Sequence, residues 1–189
     1  MIITISGMPG SGKSTVAEIL AKRLKMKSYY MGKIRRELAR KKGLTLEQLN
    51  EIGENEEWTD VDVDKFQTEL AKKEDNFIIQ GRTSFFLIPN SVKVFLNIDF
   101  DTGVKRIFED VKKDSKQRNE GEYRTLEEAK KAIRKRIESD IRRYKKYYKV
   151  DIYDRSHYDI VIDTTDLMIE QVVEKVMQEI KKLKPEIRS

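Results

Sequence analysis

The amino-acid sequence predicts a three-layer α/β/α domain built on a parallel sheet of about five strands. Short apolar runs alternate along the chain with longer amphipathic segments, as in successive strand–helix–strand units. The length of 189 residues suits a single domain, 1–189. The chain contains no cysteine, so a disulfide and a thiolate metal site are excluded, and the lone His157 argues against a histidine-rich metal site or a Ser-His-Asp triad.

The apolar runs define the predicted strands. Each is short, carries β-branched or aromatic residues and is bounded by polar residues or glycine, as buried strands are. They cover residues 2–6, 28–30, 77–80, 92–97 and 158–163. Helices are predicted after the first strand, over about 32–42, from Thr45, over 60–73, from near Asp101, from Thr125 and over 169–183.

Two of the helix starts have the spacing of a capping box, Thr45 with Gln48 and Thr125 with Glu128. The long helix after Thr125 shows an apolar face at helical spacing, so we expect this face to be buried. Its residues are Ala129, Ile133, Ile137, Ile141, Tyr144 and Tyr148.

Residues 7–14 read Gly-Met-Pro-Gly-Ser-Gly-Lys-Ser and match the P-loop pattern G-x-x-x-x-G-K-[ST]. The motif follows a predicted strand and begins a predicted helix, where backbone N–H groups and the helix dipole attract phosphate. We therefore expect ATP to bind here, with Lys13 at the β- and γ-phosphates and Ser14 as a ligand of Mg²⁺. The predicted ATP-binding residues are Gly7, Met8, Pro9, Gly10, Ser11, Gly12, Lys13, Ser14 and Thr15.

Other features restrict the class of P-loop protein. The chain is short for a motor or helicase, and it lacks the N-K-x-D motif of signalling GTPases. Asp99, the nearest candidate for a Walker-B carboxylate, lies beyond the predicted strand end. What remains is a small kinase that holds a second anionic substrate with arginines. Arg36 and Arg82 are the first candidates, and Arg82 follows the end of a predicted strand, where open α/β sheets bind ligands.

Arg136, Asp140 and Arg143 are spaced i, i+4 and i+7, which places them on one face of the long helix. Taken alone, this pattern favours a solvated ladder of ion pairs, which would contribute little to stability. The alternative is a face that binds substrate.

These residues together resemble the archaeal type of cytidylate kinase, within the nucleoside monophosphate kinase family, over residues 2 to about 180. The resemblance rests on the P-loop, the element Gly32 to Arg36, the pair Gly81-Arg82, and the segments 143–148, 151–152 and 158–162. It implies transfer of the γ-phosphoryl group from ATP with Mg²⁺ to CMP, and also to dCMP.

The same resemblance implies roles for single residues. Arg36, Arg82 and Arg143 would hold the phosphate of the acceptor, and Arg136 and Asp140 would lie at its ribose. The acceptor-binding region would span about 31–73. Residues 112–124 would form a lid, with Arg118 or Arg124 closing over the phosphoryl group in transfer.

Two positions depart from the bacterial cytidylate kinases, which have serine where this chain has Met31 and aspartate where it has Thr83. The residues that read the base therefore stay open. We place Asp64 in the acceptor site; the other candidates are Asp60, Asp62, Gln67, Thr83 and Ser84. For each aspartate, the alternative is a favourable charge at a helix N-terminus.

Other acceptors and another class of protein stay possible at this stage. AMP or UMP could replace CMP. The net charge of +6 and the tyrosines among lysines at 144–153 would also suit a nucleotide-dependent RNA-binding factor, although the helical spacing buries Tyr144 and Tyr148.

No segment has the length of an apolar membrane span, and the N-terminus lacks a signal-peptide pattern. We expect a cytoplasmic monomer.

Overall fold

Five parallel strands form the sheet in the computed structural model, which describes residues 1–113 and 123–184. The strands are β1 (Ile2–Gly7), β2 (Lys27–Tyr30), β3 (Phe77–Gln80), β4 (Val92–Asn97) and β5 (Ile160–Asp163). Their order across the sheet is β2-β3-β1-β4-β5, and all four pairings are parallel. The predicted fold class is confirmed. β5 begins two residues later than predicted, because Tyr158 ends a single 3₁₀ turn, Arg155–His157.

The helices are α1 (Lys13–Arg23), α2 (Met31–Lys41), α3 (Leu46–Asn55), α4 (Trp58–Lys73), α5 (Ser84–Leu87), α6 (Phe100–Lys113), α7 (Leu126–Tyr148) and α8 (Ile169–Leu183). The short α5 was not predicted, since one turn is too short to show a helical period. In the part of the chain that the structure describes, no helix combines the length and the apolar character that a bilayer span needs.

Alternate residues of the strands face opposite layers of helices. Ile78 packs in a core with residues of α1 and α8, such as Leu20 and Val176. Its neighbour Phe77 packs on the other face with Val63 of α4. Because both faces of the sheet are covered, β3 has an unbroken apolar run, residues 77–79, and the polar residues Thr4 and Ser6 of β1 are also buried.

The two capping boxes differ. Thr45 Oγ1 accepts from the Gln48 N–H at 3.2 Å, and Gln48 Oε1 accepts from the Thr45 N–H at 2.8 Å, so the first box is complete. Thr125 Oγ1 accepts from the Glu128 N–H at 3.1 Å, but the Glu128 carboxylate accepts from the Arg124 N–H instead. The second box is therefore only half formed.

Candidate active site

The P-loop connects β1 to α1 and folds around the side chain of Lys13. Lys13 Nζ donates to the Met8 carbonyl oxygen at 2.6 Å and to Ser11 Oγ at 3.4 Å. The first N–H groups of any helix lack acceptors within the helix, so the start of α1 offers donors to an anion beside this ammonium group.

Two glycines make this loop possible. Gly10 has φ +81°, and a Cβ there would lie 2.3 Å from the carbonyl oxygen of Gly103 in α6. Gly12, the residue before α1, has φ +82°. Both are left-handed conformations, and the first also requires close approach of two backbones, so a side chain at Gly10 would disrupt the loop.

One cleft of about 580 Å³ runs along the P-loop and brings together most of the residues predicted from the sequence. Eight of the nine predicted ATP-binding residues line it; the exception is Met8, whose side chain packs in the apolar cluster of Phe85 and Phe95. The predicted acceptor residues on its walls are Arg36, Asp64, Arg82 and Arg136.

Arg36 is supported by the turn that begins α2. Its guanidinium lies 4.9 Å from the centre of the Tyr30 ring and donates to the Tyr30 hydroxyl. A Cβ at Gly32 would lie 2.5 Å from this ring, so glycine leaves the space that the ring occupies. The spacing from Gly32 to Arg36 thus has a physical cause.

Arg82 follows the carboxyl end of β3, beside the P-loop. Its Nε lies 2.7 Å from Asp140 Oδ2, a carboxylate of α7 with no exposed side-chain surface. Burial lowers the pKa of Arg82, but Asp140, Tyr153 and Tyr144 together raise it by more, so the net shift is upward and the guanidinium keeps its charge. Asp140 therefore fixes a permanent cation at the cleft wall.

Arg143 and Asp140 lie in a buried ionic network, so the surface ion-pair ladder predicted for this face is wrong. Both side chains are 0% exposed. Arg143 Nη2 lies 3.1 Å from Asp140 Oδ1, and its Nε lies 2.9 Å from Asp60 Oδ2 on α4. Arg35 of α2 pairs with the other oxygen of Asp60 and donates to Asn50 of α3 at 3.1 Å.

Three guanidinium groups therefore share two carboxylates in this network. Burial alone would raise the pKa of Asp140, but Arg82 and Arg143 lower it below its usual value, so Asp140 is ionised at neutral pH. Neither Asp140 nor Arg143 belongs to the cleft wall as the structure describes it. Their direct contact with an acceptor stays a prediction; what the structure shows is that Asp140 pairs with Arg82 and that Arg143 pairs with Asp140.

The three aspartates at the start of α4 have different surroundings. Asp62 is exposed, and Asp60 is buried in the ionic network. Asp64, which is 9% exposed, lines the cleft and accepts hydrogen bonds from Thr83 at 2.9 Å and from Gln67 at 3.0 Å. Burial raises the pKa of Asp64 to about 6.

Several functional residues were missed in the sequence. Arg35 pairs with Asp60, and Tyr148 donates to Asp64. Arg106 lines the cleft and donates to the carbonyl oxygens of Thr164 and Thr165 at 3.1 Å each.

One signal in the sequence could have indicated some of these residues. Asp60, Asp64 and Gln67 share one helix face by their i, i+4, i+7 spacing, as do Tyr144 and Tyr148, whereas Asp62 does not.

Three of the tyrosines that could have supported RNA binding face inward. Tyr144 is buried, the Tyr148 hydroxyl donates to Asp64, and the Tyr153 hydroxyl lies 3.2 Å from Asp140 Oδ2. Their rings are thus not a row of free stacking surfaces.

The predicted lid, residues 112–124, falls mostly outside the described part of the chain. This includes Arg118. Arg124 is exposed, and it is absent from the cleft wall within residues 1–113 and 123–184. Which arginine closes over the phosphates stays a prediction.

Comparison with known proteins agrees with this geometry. The model of the cytidylate kinase-like family matches residues 2–166. The cytidylate kinase of Archaeoglobus fulgidus is 36% identical over 187 residues, covering 97% of this chain and 98% of that protein. The cytidylate kinase of Sulfurisphaera tokodaii is 37% identical and covers 91% of each chain.

Solved structures share the fold. Shikimate kinase from Bacteroides thetaiotaomicron superposes with a TM-score of 0.64 over 97% of both chains, at 18% identity. An uncharacterized protein from Eubacterium ventriosum gives 0.67 at 21% identity, covering 96% of this chain and 98% of that one. At these identities the likeness concerns the fold alone. The family model and the sequence relatives show that the chain belongs to the cytidylate kinase-like family.

Proposed function

We propose that the protein transfers the γ-phosphoryl group of ATP to CMP, and also to dCMP, giving ADP and the cytidine diphosphate. The observation that carries this proposal is the single cleft in which the P-loop shares walls with Arg36 and Arg82. A P-loop accounts for the donor, and two further guanidinium groups provide for a second phosphate. Similarity to proteins named cytidylate kinase along nearly the whole chain supports CMP as the acceptor.

The donor side fits ATP bound with Mg²⁺. Ser14 lies on the cleft wall in the first turn of α1, beside Lys13, and Mg²⁺ in such sites takes few protein oxygens and several from phosphates. Ser14 would hold the ion, which when bound neutralises charge on the phosphates. Lys13 and the N–H groups at the start of α1 would stabilise the β- and γ-phosphates during transfer.

The acceptor side needs positive charge and orientation of the phosphate rather than a general base. The 5′-phosphate of a nucleoside monophosphate is already ionised, so its oxygen can attack the γ-phosphorus without transfer of a proton to the protein. Arg36 and Arg82 would bind this phosphate and bring the two anions together in line. Arg82 is suited to this because Asp140 fixes its orientation from inside the protein.

A panel of acceptors tests the proposal. Initial rates with ATP and Mg²⁺ should be highest for CMP and dCMP, with kcat/KM at least roughly tenfold above UMP, AMP and GMP, about 1.4 kcal/mol of transition-state discrimination. Lys13→Ala protein prepared in the same way controls for contaminating kinases. A higher kcat/KM with AMP or UMP than with CMP would assign the acceptor differently.

A further inference from the structure

A group of five hydrogen-bonded side chains meets at the cleft, and we name it the Asp64 cluster: Asp64, Gln67, Thr83, Ser84 and Tyr148. Asp64, Gln67 and Thr83 line the cleft, in the same walls as Arg36 and Arg82. The cluster joins α4, the turn after β3 and α7, three elements that no local sequence motif connects. A buried polar network whose hydrogen bonds are all formed fixes the orientation of its side chains.

Every side-chain donor of the Asp64 cluster is used within the cluster. Ser84 donates to Gln67 Oε1 at 2.5 Å, which leaves the Gln67 amide nitrogen to donate to Asp64 at 3.0 Å and to Thr83 Oγ1 at 3.2 Å. Thr83 donates its one proton to Asp64 at 2.9 Å, and Tyr148 donates to the other carboxylate oxygen. No N–H or O–H of these five side chains is left for a ligand.

An acceptor does remain. A carboxylate offers about four lone-pair positions on its two oxygens. Asp64 Oδ1 receives two hydrogen bonds, from Gln67 and Thr83, and Oδ2 receives one, from Tyr148. The cluster therefore presents to the cleft a place for one more donor, at Oδ2 of Asp64.

We propose that Asp64 selects the base of the acceptor nucleotide by accepting a hydrogen bond from the exocyclic amine of cytosine; this inference rests on the proposed function. Uracil has a carbonyl oxygen at the same ring position, which would place lone pairs against a carboxylate and leave both groups unpaired. A site built to pair with one polar group discriminates against the analogue that lacks this group. Such discrimination is stronger than that of an apolar pocket against a ligand that lacks one methylene.

The protonation state of Asp64 should then change the selectivity. Burial raises the pKa of Asp64 to about 6, with Asp60 on the same helix also raising it, and Tyr148, Thr83 and Arg35 of α2 lowering it. Above this pH the carboxylate only accepts. Below it, the acid carries one proton that can be donated to the carbonyl of uracil, so preference for CMP over UMP should fall as the pH falls.

Asp64→Asn is the first test. Gln67 and Thr83 still require an oxygen at the Oδ1 position, so the new NH₂ group should lie at the Oδ2 position. One of its hydrogens would then be donated to the Tyr148 hydroxyl, which turns from donor to acceptor, and the other to uracil. We expect the ratio of kcat/KM for CMP to that for UMP to fall roughly 10- to 150-fold, the range for a hydrogen bond to a charged group. The matched control is Asp62→Asn, which removes the same charge from the exposed side of the same helix and should leave the ratio unchanged.

The pH profile of the unmodified protein is the second test and does not depend on the variant folding. Between pH 8 and pH 5.5 the CMP-to-UMP ratio should fall at least about fourfold, because the ionised fraction of a carboxyl of pKa about 6 falls by this factor and any gain with UMP adds to the effect. The ratio cancels the titration of the acceptor phosphate, which both nucleotides share.

The outcomes separate the two proposals. An unchanged ratio in folded Asp64→Asn, or a flat ratio across the pH range, overturns base selection by Asp64 even if CMP stays the best substrate. An equal loss with CMP and UMP does the same, since it would assign Asp64 to the ribose. The proposed function itself fails on a different result, a lack of CMP preference in the unmodified protein at pH 8.

Discussion

The two walls of the cleft are built in different ways. The P-loop wall is one continuous stretch, residues 7–15, whose anion donors are backbone N–H groups and one ammonium group. The acceptor wall comes from α2, α4, α7 and the turn after β3, and two of its cations, Arg35 and Arg82, are held by the buried carboxylates of Asp60 and Asp140. A loop defined by its backbone needs few partners, whereas an ionic wall depends on groups deep in the fold.

This difference should separate activity from stability. Lys13 donates to a carbonyl oxygen and to a serine hydroxyl of its own loop. Arg143 lies between Asp60 and Asp140, and its removal takes a partner from both. Substitutions on the two sides therefore test whether the contrast is real.

Arg143→Ala should have the largest effect on folding. Removing one partner from a buried ionic network leaves buried charge without compensation and costs about 3–5 kcal/mol. The neighbour Arg142 pairs with Glu54 at the surface, so Arg142→Ala should cost less than about 1 kcal/mol. Urea unfolding of both proteins measures the difference, and equal losses would contradict the assignment of Arg143 to a stabilising network.

Lys13→Ala should abolish transfer and leave the fold intact. We expect kcat/KM to fall at least ~10³-fold, about 4 kcal/mol of transition-state stabilisation. The free energy of unfolding should change by less than about 1 kcal/mol. Lys22→Ala, on the exposed side of the same helix, should change neither. Activity within tenfold of normal in Lys13→Ala would remove the P-loop from the mechanism.

Arg82→Ala should weaken the use of CMP without weakening the binding of ATP. A charge-assisted hydrogen bond of this kind contributes about 1.5–3 kcal/mol, which corresponds to roughly 10- to 150-fold in kcat/KM for CMP. Calorimetric titration with a non-hydrolysable ATP analogue measures the donor side separately. Should ATP affinity collapse while the response to CMP is retained, Arg82 belongs to the donor wall.

The smallest effect is expected from Asp64→Asn on stability. The folded-state pKa of about 6 lies above the usual value for aspartate, so ionised Asp64 destabilises the fold, and stability falls as the pH rises through this range. At pH 8 the Asp64→Asn substitution should therefore lower the free energy of unfolding by less than about 1 kcal/mol, or raise it. Asp140→Asn is the contrast: its pKa is lowered by arginines, so it should lose stability at pH 8. Equal losses for the two variants would contradict this.

The same contrast explains what could be predicted from sequence. The P-loop was predicted from start to end, because its geometry is fixed by glycines and a helix start that are adjacent in the chain. The strands followed from apolar runs, with boundaries within two residues of those observed. The spacing of Arg136, Asp140 and Arg143 placed them on one face, but it could not show that two of them turn inward. Charged residues at helical spacing have the same pattern whether water or a buried partner faces them.

The base-reading side was the hardest to predict for the same reason. Arg35 and Asp60 are 25 residues apart, and Tyr148 is 84 residues from Asp64. Such pairs exist only once α2, α4 and α7 pack together. Three aspartates of one helix could be named as candidates, but only packing places Asp60 and Asp64 at the cleft, pairs Asp60 with the ionic network and leaves Asp62 to solvent.

Product identity tests the central claim most directly, because it shows whether the two walls exchange a phosphoryl group. With ATP, Mg²⁺ and CMP in equal amounts, ³¹P NMR should show the γ-phosphate of ATP disappearing in step with the appearance of the α- and β-phosphates of CDP. Inorganic phosphate should stay near the level seen with Lys13→Ala. Release of inorganic phosphate at the same rate with and without CMP, and no CDP, would contradict phosphoryl transfer between the walls.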